Sequence, residues 1–171
     1  MENQLGRQGK VEVNGNEVYC SIDNFQKYAK CQAYFCYRKE KEIKISDLQY
    51  KVHLQDIGWT DWKNAGETIG TTGESRRVEA ITLKGINGLD VSYRVHMQDK
   101  GWSNWVKNSE VAGTTGESRR IEAIEIKCNK NLIAQEHIQD VGWMPISKGK
   151  EIHIGTEGKS LRLEAFKIEI E

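Results

Sequence analysis

Apolar and polar residues alternate along much of the chain with a period of two, the mark of strands that bury one face. Tyr50, Val52 and Leu54 alternate with Lys51, His53 and Gln55, and Tyr93, Val95 and Met97 with their own polar neighbours. Ile81 and Leu83 then alternate with Thr82 and Lys84, and Ile124 and Ile126 with Glu125 and Lys127. Phe166, Ile168 and Ile170 repeat the pattern against Lys167, Glu169 and Glu171. Between these segments, GWTDW and GWSNW space their tryptophans three apart, which fits a bend between short strands. GTTG supplies a turn, because glycine adopts positive φ without a Cβ clash.

The segments recur as a block. Residues 50–83 and 93–126 align without a gap, and about 20 of 34 positions are identical. A third copy at 135–168 carries one extra residue before its glycine turn. Three units of about 42 residues follow one another, at roughly 48–86, 91–128 and 132–171. Several short strands in each of three units predict an all-β fold with pseudo-threefold symmetry. A β-prism of three sheets is the preferred architecture and a β-trefoil the alternative; a propeller normally has more blades. EIKI at 42–45 resembles AIEIK at 123–127 and is expected to add a strand that helps close the ring.

The repeat domain is therefore placed at 42–171, with residues 1–41 as an N-terminal extension holding a small β-element. VEVNGNEVY reads as a hairpin turning at Asn14-Gly15. The aromatic and lysine-rich FQKYAKCQAYFCYRKEK that follows fits an added β-element, an oligomerisation segment or the tail of a linker.

Composition narrows the function. Basic and acidic residues both number 25, so no global field steers the chain to nucleic acid or to an acidic membrane surface. Its apolar runs are too short to span a bilayer, and MENQLGRQGK has no apolar core of a secretory signal. Action outside a cell would then require release by lysis or origin in a longer chain. Cys20, Cys31, Cys36 and Cys128 lack the paired CxxC of a zinc ribbon and read as buried or free thiols. A Cys31 bond to Cys20 or Cys36 belongs only to an oxidising setting. GxSxG, HExxH and Cys-His signatures are all absent, and no cofactor is implied. Repeated carboxylates do not single out a catalytic pair. The chain reads as a non-enzyme.

QDxGWxxW followed by GTTGESRRxEAIxI resembles the clostridial hydrophobic repeats with a signature tryptophan, the ChW repeats. Unit three departs from the pattern at Ile146, Glu157 and Leu161. The resemblance implies an extracellular or wall-associated protein of clostridia or their phages, such as the wall-binding part of a lysin, with no catalytic centre. The implied partner is peptidoglycan or another wall glycan. The alternative is a protein-interaction or oligomerisation module, with self-association through the N-terminal segment.

The candidate site residues follow from sugar chemistry. Trp59, Trp62, Trp102, Trp105 and Trp143 offer flat faces for pyranose stacking, while Gln55, Asp56, Gln98, Asp99 and Asp140 offer hydrogen bonds to hydroxyls. The tryptophan present in every unit is equally read as a core residue sealing each sheet. That makes Trp62 and Trp105 the sharper ligand candidates. Arg77, Arg120 and Arg162 each precede a glutamate by two, so a charge pair on the apolar face of the closing strand is expected. Arg76 and Arg119 point the other way, toward an anionic ligand such as a wall phosphate. His53, His96 and His137 are read as surface hydrogen-bonding residues rather than a metal site.

Overall fold

The computed structural model describes residues 10–14, 17–21, 37–38 and 42–171. The chain divides into two compact units, Met1–Glu42 and Ile43–Glu171. In the first, β1 (Lys10–Asn14), β2 (Glu17–Ser21) and β3 (Tyr37–Arg38) form a three-stranded antiparallel sheet. Val13 faces Val18 and Asn14 faces Glu17, the pairing of the expected hairpin. Gly15 of the expected turn, Cys31 and Cys36 lie outside the described residues.

The second unit is all-β and holds the three repeats. Unit one contributes β4 (Leu48–Leu54), β5 (Gly58–Trp59), β6 (Lys63–Asn64), β7 (Ile69–Gly70) and β8 (Val78–Gly85). Unit two contributes β9 (Val91–Met97), β10 (Gly101–Trp102), β11 (Val106–Lys107) and β12 (Ala112–Gly113). The single strand β13 (Ile121–Ile138) closes unit two and opens unit three, which continues through β14 (Gly142–Trp143), β15 (Ser147–Gly155) and β16 (Leu163–Ile170).

Each unit pairs its two long segments antiparallel and in equivalent register. Val52 faces Ile81, Val95 faces Ile124, and Glu136 faces Phe166. The short strands β5 and β6 fold back on β4, as β10 and β11 do on β9. One further short segment leaves its own sheet in every unit. β7 of unit one pairs with β16 of unit three, β12 of unit two with β8 of unit one, and the end of β15 with β13 of unit two. Three clasps thus link the units in a cycle, one onto three, two onto one and three onto two. Because β13 runs through both, units two and three share one eight-stranded sheet, while unit one forms a five-stranded sheet with β12; the sheets do not close as a barrel.

The strand pattern read from the sequence holds: β4 and β9 each alternate buried and half-exposed residues from end to end. Leu48, Tyr50, Val52, Ile81, Leu83, Tyr93, Ile124, Ile138 and Phe166 are fully enclosed in one continuous core. Two tyrosines also reach across to neighbouring segments. The Tyr50 hydroxyl donates to the carbonyl of Glu67 and lies 3.4 Å from that of Ile168, while the Tyr93 hydroxyl donates to the carbonyl of Glu110. Burial pushes both phenols up to about 12. Cys128 is a free buried thiol whose titration is also raised by burial.

The EIKI expectation fails. Residues 42–44 form no strand, and Ile45–Asp47 is a short 3-10 turn held by the Lys44 amide donating to Asp47 Oδ2 at 2.8 Å. An aspartate carboxyl that caps a turn locally competes with strand pairing. The ring is closed by β7 on β16 instead.

Candidate functional site

The same outward-facing constellation recurs on each sheet, and a β-bulge creates it. His53 pairs with Ala80 and Leu54 with Val78, so Glu79 is the extra residue on its strand. Glu122 and Glu164 are extra in the same way in the other units. A bulge re-aims side chains. It turns each glutamate away from the apolar face where simple alternation placed it and toward the histidine on the outer face. His53, His96 and His137 place Nδ1 within 3.1, 3.3 and 3.1 Å of their own glutamates. Each histidine is therefore committed to its own sheet, and the three do not converge.

These glutamates are buried, which is costly for a carboxylate without a cation. Arg77, Arg120 and Arg162 meet that need, with Nε donating to the carboxylate at 2.8, 2.9 and 2.9 Å. The expected arginine–glutamate pairs are present, but on the outer side. On the far side of each histidine stands the invariant tryptophan, edge-on, with ring centres 5.6, 5.4 and 5.5 Å apart for Trp59, Trp102 and Trp143. Arginine, glutamate, histidine and tryptophan thus form one contact series from the bulge of the closing strand to the indole.

The core reading of the invariant tryptophan is corrected by its exposure. Trp59 is 37% and Trp143 44% exposed, so their indoles lie on the outer surface. The second tryptophans have a different setting. Lys51 Nζ lies 4.9 Å from the centre of Trp59 and 5.1 Å from that of Trp62. The Arg94 guanidinium stands in the same relation to Trp102 and Trp105, at 4.7 and 5.0 Å. In unit three Gln135 replaces the cation and Ile146 replaces the tryptophan. Cation and second ring are present or absent together, so Trp62 and Trp105 serve a structural cation–π ladder whatever else they touch. A double-mutant cycle on Lys51→Gln and Trp62→Ala is expected to give a coupling of about 0.5–1 kcal/mol in urea unfolding. A coupling of zero contradicts the ladder.

The other candidates also have internal roles. Asp56, Asp99 and Asp140 adopt φ of 63, 59 and 60°, a left-handed turn position that favours short polar residues. Arg76 donates through Nε to Glu74 at 3.1 Å and through Nη1 to the Gln55 carbonyl at 3.1 Å. Arg119 repeats this with Glu117 at 3.1 Å and the Gln98 carbonyl at 3.0 Å. Each arginine ties the GTTGES turn to the preceding hairpin, and those guanidinium nitrogens meet internal partners. The Gln139 side chain donates to Asp140 at 3.0 Å.

Beside unit two lies an open groove of 370 Å³ lined by Arg94, Trp105, Glu125, Lys127, Glu151 and His153. Its charges are matched internally: Arg94 with Glu125 at 2.6 Å, and Lys127 with Glu151 at 3.4 Å. Hydrogen bonding from Arg94 holds the Glu125 carboxyl below the usual carboxylate range.

The recurring Trp-His-Glu-Arg constellation, one per unit, coincides with a family signature. The family model described as Clostridial hydrophobic W matches residues 53–86, 96–130 and 137–171. The chain belongs to the ChW repeat family. Each ChW match covers one His-Trp hairpin and the bulged closing strand that follows it. ChW is a repeat family of the kind found in clostridial surface and cell-wall proteins, not one known for catalysis. No curated protein and no solved structure matches the chain.

Three features of the ChW site have no counterpart in the candidates read from the sequence: the histidines as tryptophan supports, the bulged glutamates, and the Lys51 and Arg94 rungs. The rungs had a signal in the sequence, since the cation is lost in the same unit as the second tryptophan.

Proposed function

We infer that the three-repeat domain is a non-catalytic module that attaches its protein to the clostridial envelope by binding a wall glycan or the glycan strands of peptidoglycan. The observation that carries this reading is the invariant tryptophan, outward-facing and braced from behind by histidine. A flat ring held rigidly at the surface stacks on a sugar face with little loss of side-chain freedom. Repetition on one rigid ring adds avidity, on the order of 10² or more for linked weak sites when the spacing matches a polymer. Such a module takes no cofactor, and its site is neither a nucleic-acid surface nor a membrane surface. Its place of action is the outside of the cell wall, as part of a lysin or a surface protein.

The test is co-sedimentation with clostridial walls before and after removal of wall proteins and secondary polymers. Retention on walls stripped of protein is expected. Retention lost with the protein fraction overturns the glycan reading and favours the protein-interaction alternative, in which the apolar hairpin tips Ile57 and Val141 would form the contact.

A further inference from the structure

Trp59, Trp102 and Trp143 occupy one position in three units, yet among the described residues only Trp102 has its indole N–H taken by an acceptor from the chain itself. Trp102 Nε1 donates to Glu157 Oε2 at 3.1 Å, and the His153 ring stands edge-on to the same indole at 5.8 Å. Both covering residues come from unit three, on the clasp strand β15 and the turn that follows it. In the register of the repeat, Glu157 replaces Thr72 and Thr115, and His153 replaces Thr68 and Val111. Among the described residues, the indole nitrogens of Trp59 and Trp143 meet no acceptor. The hairpin tips differ in the same sense. Ile57 and Val141 are exposed, whereas unit two has Lys100, drawn to Glu117 at 3.1 Å.

We propose that the molecule carries two open ligand sites, at Trp59 and Trp143, and that Glu157 closes the third by standing where a ligand oxygen stands in the other two. This rests on the wall-glycan reading. An indole N–H is a donor only, so a ligand that satisfies it brings an oxygen acceptor. At Trp102 a charged carboxylate already accepts that bond, and being tethered it outcompetes a dilute hydroxyl or carboxylate from outside. The shared ligand chemistry is a sugar ring bearing an oxygen acceptor at its edge. Unit one adds a preference. Lys51 lies beside Trp59 with no carboxylate partner among the described residues, whereas Arg94 is bound to Glu125 and unit three has Gln135. The Trp59 site therefore favours a carboxylate-bearing sugar, and the Trp143 site accepts a neutral one.

Calorimetric titration of the full chain counts the sites. With muramic-acid-containing wall fragments, two are expected in the native protein and three in Glu157→Thr/His153→Thr, which restores the threonines of unit one's clasp. Glu157→Gln keeps an acceptor for the indole and stays at two. With neutral N-acetylglucosamine oligomers the two sites bind with similar affinity. The tighter binding of the acidic fragments to one site is lost in Lys51→Gln. Independently, the Trp102 indole N–H resonance is expected to move in Glu157→Thr while those of Trp59 and Trp143 do not. Three sites in the native protein, no third site in the double variant, or an unmoved Trp102 resonance overturns the proposal and leaves wall binding intact. No binding of either fragment by any variant overturns the wall-glycan reading and the two-site proposal with it.

Discussion

Gly113→Ala is expected to cost about 3 kcal/mol or more and to lower the melting temperature by about 10 °C or more. Gly113 is the clasp residue through which unit two lies on unit one. Its φ of 107° is a conformation that side chains rarely adopt. A methyl group there overlaps the carbonyl oxygen of Glu79 and comes within 2.7 Å of Ala80 Cα, both of them backbone in the bulge. Neither can move without breaking the Thr114 amide bond to the Glu79 carbonyl at 3.0 Å or the arginine–glutamate–histidine series anchored on that bulge. Gly116→Ala, three residues on in the same octapeptide, is the control. It has φ of 79° and open space around it. Its cost is restricted to backbone strain, about 1 kcal/mol. Thermal denaturation of the two variants checks this. Equal losses contradict the account, because the octapeptide would then be an ordinary turn and not a clasp.

Glu136→Val is expected to stabilise the domain by about 1–3 kcal/mol at neutral pH. Glu136 fills the inward position held by Val52 and Val95 in the other units, and it is buried. One oxygen accepts from the Gly155 amide at 3.2 Å; the other is enclosed without a partner. Burial pushes its carboxyl above the usual range, opposed by the Gly155 amide and by the charge of His153. The pH dependence follows from that direction. Below the unfolded value of about 4.3 the group is protonated in both states and no ionisation penalty exists. As pH rises through the raised folded value, the folded state alone must either hold its proton against solution or bury a charge, and stability falls. The advantage of valine therefore grows from acid to neutral pH. Urea unfolding at pH 4 and pH 7 measures it. An advantage that does not change with pH, or a less stable variant at pH 7, contradicts the burial argument.

The strands were legible because period-two alternation registers the burial of one face, and Tyr50, Val52 and Leu54 all point where the alternation placed them. The three units and the turn character of GTTGESRR were legible for a related reason: the glycines of GTTG return at the same place in units one and two, as a shared backbone conformation requires. What alternation cannot reveal is a place where it is broken. The extra residue at Glu79, Glu122 and Glu164 shifts the facing by one, so glutamates assigned to the apolar side stand beside histidines on the other. The clasps were hidden because two-residue strands such as Ile69–Gly70 are too short to carry a pattern, and their partners lie in another unit. Arg76 and Arg119, offered from the sequence as anion-facing candidates, are tied to internal partners at the turn before each closing strand. Their acceptors, carbonyls of Gln55 and Gln98, are backbone atoms to which the sequence gives no clue.

In the function proposed above, the outward-facing tryptophans braced by histidine are the groups that hold wall glycan. A depletion isotherm on protein-stripped clostridial peptidoglycan, comparing the native chain with Trp59→Ala/Trp143→Ala, tests it most directly. Saturable binding by the native chain, weakened at least about tenfold in the double variant with its fold intact by circular dichroism, is the predicted result. Native binding that survives loss of both rings, or no binding at all, contradicts the claim.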